Sequence, residues 1–113
     1  MSLTNGSIKY LLSIYELTLH NEETSCAKIA LMLSVYRPSV TRMINTLVDN
    51  KLVYKSSNKK ISLTNEGHKI AKRYMGGLNE VERVLNFNFM LNEKSLKEIA
   101  FKILAELPEN RIT

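Results

Sequence analysis

Residues 34–73, SVYRPSVTRMINTLVDNKLVYKSSNKKISLTNEGHKIAKR, decide how this chain folds. After a polar turn, Val40, Ile44, Leu47 and Val48 recur at helical spacing and form the buried stripe of an amphipathic helix. Pro38 is tolerated only in the first turn of a helix and biases Arg37 away from helical angles, so this helix begins at Arg37 or Pro38. Off the stripe stand Arg37, Ser39, Thr41, Arg42, Asn45 and Thr46, which concentrates hydrogen-bonding side chains in its first turns. Residues 52–55 and 60–63 then read as two short β-rich runs joined by a Ser-Ser-Asn-Lys turn, a hairpin with a basic tip.

Upstream, Ile8, Leu11, Leu12, Tyr15 and Leu19 mark a first helix from Ile8, with Ser7 as its N-cap. The polar run 20–24 breaks that pattern. Ile29, Ala30 and Leu33 then mark a short second helix that begins near Thr24 or Ser25. Downstream of the hairpin, Thr64 or Asn65 caps a long helix whose apolar face includes Ile70, Ala71, Tyr74, Met75, Leu78, Val81, Val84 and Leu85. Gly76 and Gly77 interrupt it, each costing about 1 kcal/mol of helix propensity against alanine, and leave room for a kink. A last helix over 95–107 carries Leu96, Ile99, Ala100, Ile103, Leu104 and Leu107, and Pro108 ends it.

The order helix, helix, turn, helix, hairpin is that of a winged helix-turn-helix. The expected fold is mainly α: three helices and a β-hairpin wing over 7–73, followed by a helical dimerisation region over 74–113. The two C-terminal helices have little else to cover them and suit a homodimer; the competing account is that they pack on their own winged domain. A chain of 113 residues with 44% apolar residues supports an ordinary core. No apolar run approaches the roughly 20 residues that span a bilayer, and residues 1–7 lack the order of a signal peptide, so a cytoplasmic protein without a membrane partner is expected. The single cysteine, Cys26, cannot form an internal disulfide and reads as a small packed hydrophobe.

Charge points to the partner. The quoted stretch holds nine basic and two acidic residues, a local +7 within a chain of net charge +5, so the remainder is mildly acidic. A basic surface of this kind suits a polyanion, because each Lys or Arg set on a phosphate releases a condensed counterion. The major groove of B-DNA admits one α-helix, and bases are read near that helix's N-terminal end. Arg42 suits bidentate pairing with guanine and Asn45 with adenine, while Lys55, Lys59 and Lys60 on the wing suit the sugar-phosphate backbone. The expected partner is double-stranded DNA.

The segments IKYLLSIYEL, SVYRPSVTRMINTLVDNKLV and ISLTNEGHKIAKR resemble, in order and spacing, the N-terminal half of the diphtheria toxin repressor and manganese transport regulator family of metal-dependent transcription factors. The resemblance covers 8–73, with weaker likeness beyond. It implies that Tyr36, Arg37, Pro38, Ser39, Thr41 and Arg42 occupy DNA-reading positions. Tyr36 and Arg37 depart from the family's usual small residue and proline, so its operator sequence does not transfer. The positions that carry metal ligands in manganese-type members fall here on Lys9, Leu12, Leu78, Phe101, Leu104 and Ala105, none of which suits a divalent cation. A regulator without the metal switch, and without any cofactor, is the expectation.

The chain's two histidines, His20 and His68, lie at or before the wing exit and show no regular ligand spacing. No phosphate loop, nucleophile elbow or acid pair points to an enzyme. Two other readings stay open on the sequence: a MarR-like repressor that answers to a small lipophilic ligand, and a winged-helix protein-interaction module with residual DNA affinity.

Overall fold

The computed structural model describes residues 3–108 and Ile112. Five helices and one two-stranded antiparallel hairpin follow the order α1 (Asn5–Leu19), α2 (Cys26–Leu33), α3 (Arg37–Asp49), β1 (Val53–Lys55), β2 (Ile61–Leu63), α4 (Asn65–Asn88) and α5 (Glu93–Glu106). This is the winged helix-turn-helix with two C-terminal helices that the pattern of residues predicts.

The first helix starts one turn earlier than expected. Thr4, not Ser7, caps it, its Oγ1 accepting the Ser7 N–H at 3.1 Å. Ser7 lies inside the first turn and is buried. The weak helix formers Asn5, Gly6 and Ser7 hide that turn from a reading based on apolar spacing. Burial on α1 also extends well beyond one stripe: Tyr10, Leu11, Leu12, Ile14, Tyr15 and Leu17 are all buried, whereas Leu19 is 57% exposed. Neighbours explain this, since α2, α3, α4, α5 and β2 all pack against α1. A helix surrounded in this way is apolar on more than one side.

Between α2 and α3 the chain turns at Ser34, whose backbone is left-handed (φ 54°, ψ 48°). The Val35 N–H donates to the Ala30 carbonyl at 3.1 Å, closing the end of α2 as a Schellman-type turn does. Ser25 caps the start of α2, accepting the Lys28 N–H at 3.2 Å. Helix α3 begins at Arg37 with Pro38 in its first turn, and it buries Val40, Ile44 and Leu47, with Val48 half-buried.

The wing pairs Val53 with Leu63, Tyr54 with Ser62 and Lys55 with Ile61. The Ile61 N–H also donates to the Thr24 carbonyl at 2.9 Å, tying the α1–α2 connection to the second wing strand. At the wing exit, the Thr64 hydroxyl donates to the Lys51 carbonyl at 2.7 Å and accepts the Gly67 N–H at 2.9 Å. The Thr64 N–H donates to the Leu52 carbonyl at 3.0 Å. A Cβ on residue 67 would lie 1.8 Å from that same carbonyl oxygen, so only glycine fits.

Helix α4 runs unbroken through Gly76 and Gly77. A Cβ at position 77 would stand 2.9 Å from Leu104 Cδ1 and 3.2 Å from Ile112 Cγ2, so this glycine lets α5 and Ile112 approach α4 closely. Helix α5 starts at Glu93, two residues before the expected Ser95, because Asn92 caps it by accepting the Ser95 N–H at 2.8 Å. Tyr74, Leu78, Ala100 and Leu104 join one continuous core with Ile8, Leu11, Ile29, Ile44 and Leu52. No helix among the described residues is long and apolar enough to cross a membrane.

Gly67→Ala should destabilise the protein by more than about 2 kcal/mol, since the new methyl meets backbone rather than a movable side chain. The exposed Gly76→Ala should instead gain up to about 1 kcal/mol from helix propensity. Urea unfolding midpoints at unchanged slope measure both.

Candidate nucleic-acid interface

The exposed side of α3 is set by its buried one. With Val40, Ile44 and Leu47 turned to the core, Arg37, Pro38, Ser39, Arg42 and Asn45 are exposed and Thr41 is half-buried. Tyr36, just before the helix, is 85% exposed. It stands at the N-cap position without a side-chain cap bond; its carbonyl accepts the Ser39 and Val40 N–H groups at 3.0 and 3.3 Å, and Pro38 has no N–H to satisfy.

The polar side chains on this face differ in what they have left to offer. Thr41 Oγ1 donates to the Arg37 carbonyl and Thr46 Oγ1 to the Arg42 carbonyl, both at 3.2 Å, so these hydroxyl protons are spent within the helix. Arg37, Ser39, Arg42 and Asn45 have no side-chain hydrogen bond or ion pair with any described residue. Two guanidinium groups, an amide and a hydroxyl therefore face solvent together with their full bonding capacity.

The basic residues of the wing are not equivalent. Lys55 and Lys59 are exposed and make no ion pair among the described residues. Lys59 sits at the tip with φ 66°, held by its N–H to the Ser56 carbonyl at 2.9 Å. Ser56 Oγ also bonds the Asn58 side chain, which tightens the tip. Lys60 is engaged: its Nζ lies 2.7 Å from Glu23 on the α1–α2 connection. The Lys60 ammonium, hydrogen-bonded to Glu23 and opposite in charge, holds that carboxyl below the usual carboxylate range. Arg73 is also used internally, donating to the Ile112 carbonyl at 3.0 Å. Both engagements join segments far apart in the chain, and no local pattern announces them.

The residues around His20 disperse. Glu22 pairs with Lys28 at 2.7 Å, Glu23 pairs with Lys60, and Cys26 is buried at the start of α2. His68 is exposed, its ring edge-on to buried Tyr15 at 5.3 Å between centroids. Among the described residues no three His, Cys, Asp or Glu side chains group as ligands for a metal ion.

No protein-family model matches the chain. No curated protein matches it either. Solved structures do. IdeR of T. acidophilum is 28% identical, with a TM-score of 0.74, over 99% of this chain and 52% of that one. The manganese regulator SloR is 25% identical, with a TM-score of 0.82, over 99% of this chain and 53% of that one. This chain is diphtheria toxin repressor-like. It spans about half the length of these two relatives. MepR, a transcription regulator of the Staphylococcus aureus multidrug efflux pump MepA, shares the fold at 24% identity and a TM-score of 0.59, over 89% of this chain and 74% of that one. SloR and MepR are regulators by description, in agreement with the non-enzymatic reading.

In this diphtheria toxin repressor-like chain, the six positions that the resemblance assigns to metal ligands do not fit a divalent cation. Leu12, Leu78 and Leu104 are buried aliphatic groups, and Phe101 and Ala105 are half-buried. Lys9 Nζ stands 5.6 Å from the centroid of the Phe101 ring, a cation–π pair that joins α1 to α5. An ammonium ion and hydrocarbon supply no lone pair to a metal at neutral pH.

The Glu23–Lys60 pair makes a checkable statement about pH. A carboxyl whose pKa is lowered on folding adds stability above its unfolded pKa and loses it as pH falls through the folded value. Lys60→Met should bring the Glu23 titration back up to the ordinary carboxylate range, read by carbon-detected NMR. An unchanged Glu23 titration would show the pair absent in solution.

Proposed function

We propose that the chain is a homodimeric, cytoplasmic transcriptional repressor that reads a specific double-stranded DNA sequence without a metal switch. The observation that carries this reading is the set of unspent side chains on α3. Arg37, Ser39, Arg42 and Asn45 lie within the first turns of one helix, exposed and without intramolecular partners. In this reading α3 lies in the major groove, Arg42 reads guanine and Asn45 reads adenine. Tyr36, Pro38 and Thr41 shape the approach and contact sugar or thymine methyl groups.

The wing holds the backbone through Lys55 and Lys59. Lys60 contributes less, because Glu23 competes for its ammonium. Residues 7–73 form the DNA-reading part and 74–113 the dimerising part. Support for the dimer comes from the far end of α4 and the connection after it, where Val84, Phe87, Phe89 and Met90 are 44%, 86%, 58% and 104% exposed. Apolar side chains this exposed in a cluster mark an interaction surface. A two-fold partner presents two recognition helices to a palindromic site. Metal independence is supported by the residues at the metal-ligand positions, where Lys9 over Phe101 already joins α1 and α5.

Arg42→Ala should lower the preference for the cognate site over random DNA by roughly 1 to 3 kcal/mol and relax specificity at one base position. Competition binding by fluorescence anisotropy measures the ratio, and an unchanged ratio would remove Arg42 from the base-reading set. Lys59→Ala should weaken binding to all sequences alike and reduce the salt slope by about 1. A slope equal to that of the parent protein would take the wing tip off the phosphate backbone.

A further inference from the structure

A cleft of about 820 Å³ opens between α1, α2, α4 and α5. Its apolar lining includes buried Leu12 and Leu78 and half-buried Leu33 and Met75. The charges around it fall into two groups. Glu16, Glu93, Lys94, Lys97 and Glu98 are exposed side chains, of mixed sign and solvated, and Lys97 is already bound to Glu82 at 3.2 Å. Lys9 differs from them. It is the one charged residue of this lining that is half-buried, its Nζ lies over the Phe101 ring, and it has no carboxylate partner among the described residues.

We propose that this cleft binds an amphipathic monoanion, an aliphatic or aromatic carboxylate whose head group pairs with Lys9 and whose apolar body lies on Leu12, Leu33, Met75 and Leu78. A half-buried cation without a counter-charge is where an incoming anion returns most, since burial weakens hydration while the ion pair restores the lost charge interaction. Apart from Lys9 the lining carries Glu16, Glu93 and Glu98 against Lys94 and Lys97, so no further net positive charge awaits a polyanion, and a single negative charge is favoured. The volume suits a small organic ligand, and apolar side chains beside a few placed polar groups are the usual composition of such sites.

The cleft also touches the reading head. Met32 and Leu33 of α2 and Val35 of the turn into α3 belong to its lining. A ligand there contacts the segment that sets the angle at which α3 leaves α2, and so couples to DNA affinity wherever the two states differ in that angle. The coupling rests on the DNA-reading proposal; the binding does not.

The test is a calorimetric titration of the whole chain, without DNA, with decanoate, decanol and decyltrimethylammonium. Decanoate should bind saturably at one per chain and about tenfold or more tighter than either comparison, a gap of roughly 1.4 kcal/mol. Lys9→Met, which keeps the apolar stem and removes the charge, should reduce decanoate to the affinity of decanol, and Lys9→Arg should retain it. Equal affinities for the three probes, or full decanoate binding by Lys9→Met, would overturn the proposal. Methyl NMR supplies the location: decanoate should shift Leu33 and Val35, and shifts confined to Val84 and Met90 would place it on the exposed apolar surface and overturn the assignment. With no DNA present, failure here leaves the DNA-reading proposal standing, and loss of that proposal leaves the cleft result intact.

Discussion

The Leu52 carbonyl is the point on which the rest of the structure turns. It accepts the Thr64 N–H, and it lies so close to Gly67 that no side chain fits between them. Thr64 meanwhile caps α4 and bonds the Lys51 carbonyl. The exit of α3, both ends of the wing and the first turn of α4 are thereby fixed against one another within a few residues. Orientation of α3 relative to the wing follows from this lock. The segment LTNEG is thus structural in its effect, although it stands beside the residues proposed to touch DNA.

Around that frame, positive charge is divided between internal and external use. Lys60 is held by Glu23 and Arg73 by the Ile112 carbonyl, whereas Arg37, Arg42, Lys55 and Lys59 have no ion pair among the described residues. A count of basic residues therefore overstates the charge available to a polyanion. In the proposed function the division also separates two roles. Arg37 and Arg42 stand on a rigid helix, where planar groups can be aimed at base edges, and Lys55 and Lys59 stand on a hairpin, where point charges suffice for phosphates.

Much of the fold was legible in the sequence because its signals are local. Arg37 or Pro38 marks the start of α3, Thr24 or Ser25 that of α2 and Thr64 or Asn65 that of α4, and helical spacing marks α3 and α4 themselves. What was not legible depends on contacts between distant segments. The Thr4 cap lies ahead of a turn with no apolar member, and the burial of Tyr10, Ile14 and Leu17 comes from elements that surround α1. Gly77 reads as a weak helix residue until Leu104 and Ile112 are seen against it. Arg37, Pro38, Ser39, Arg42 and Asn45 lie exposed on α3 as helical spacing implies, but the engagement of Lys60 is hidden from the sequence, since Glu23 is a distant partner that periodicity does not reveal.

The central claim is that a recognition helix without a metal switch reads DNA as part of a dimer. Selection of bound sequences from a random DNA pool tests it most directly, with purified protein run in parallel in chelator and in added manganese. The account predicts the same palindrome enriched in both arms. A palindrome that appears only with manganese would contradict the loss of the metal switch, and no enrichment in either arm would contradict the reading of α3 as a recognition helix.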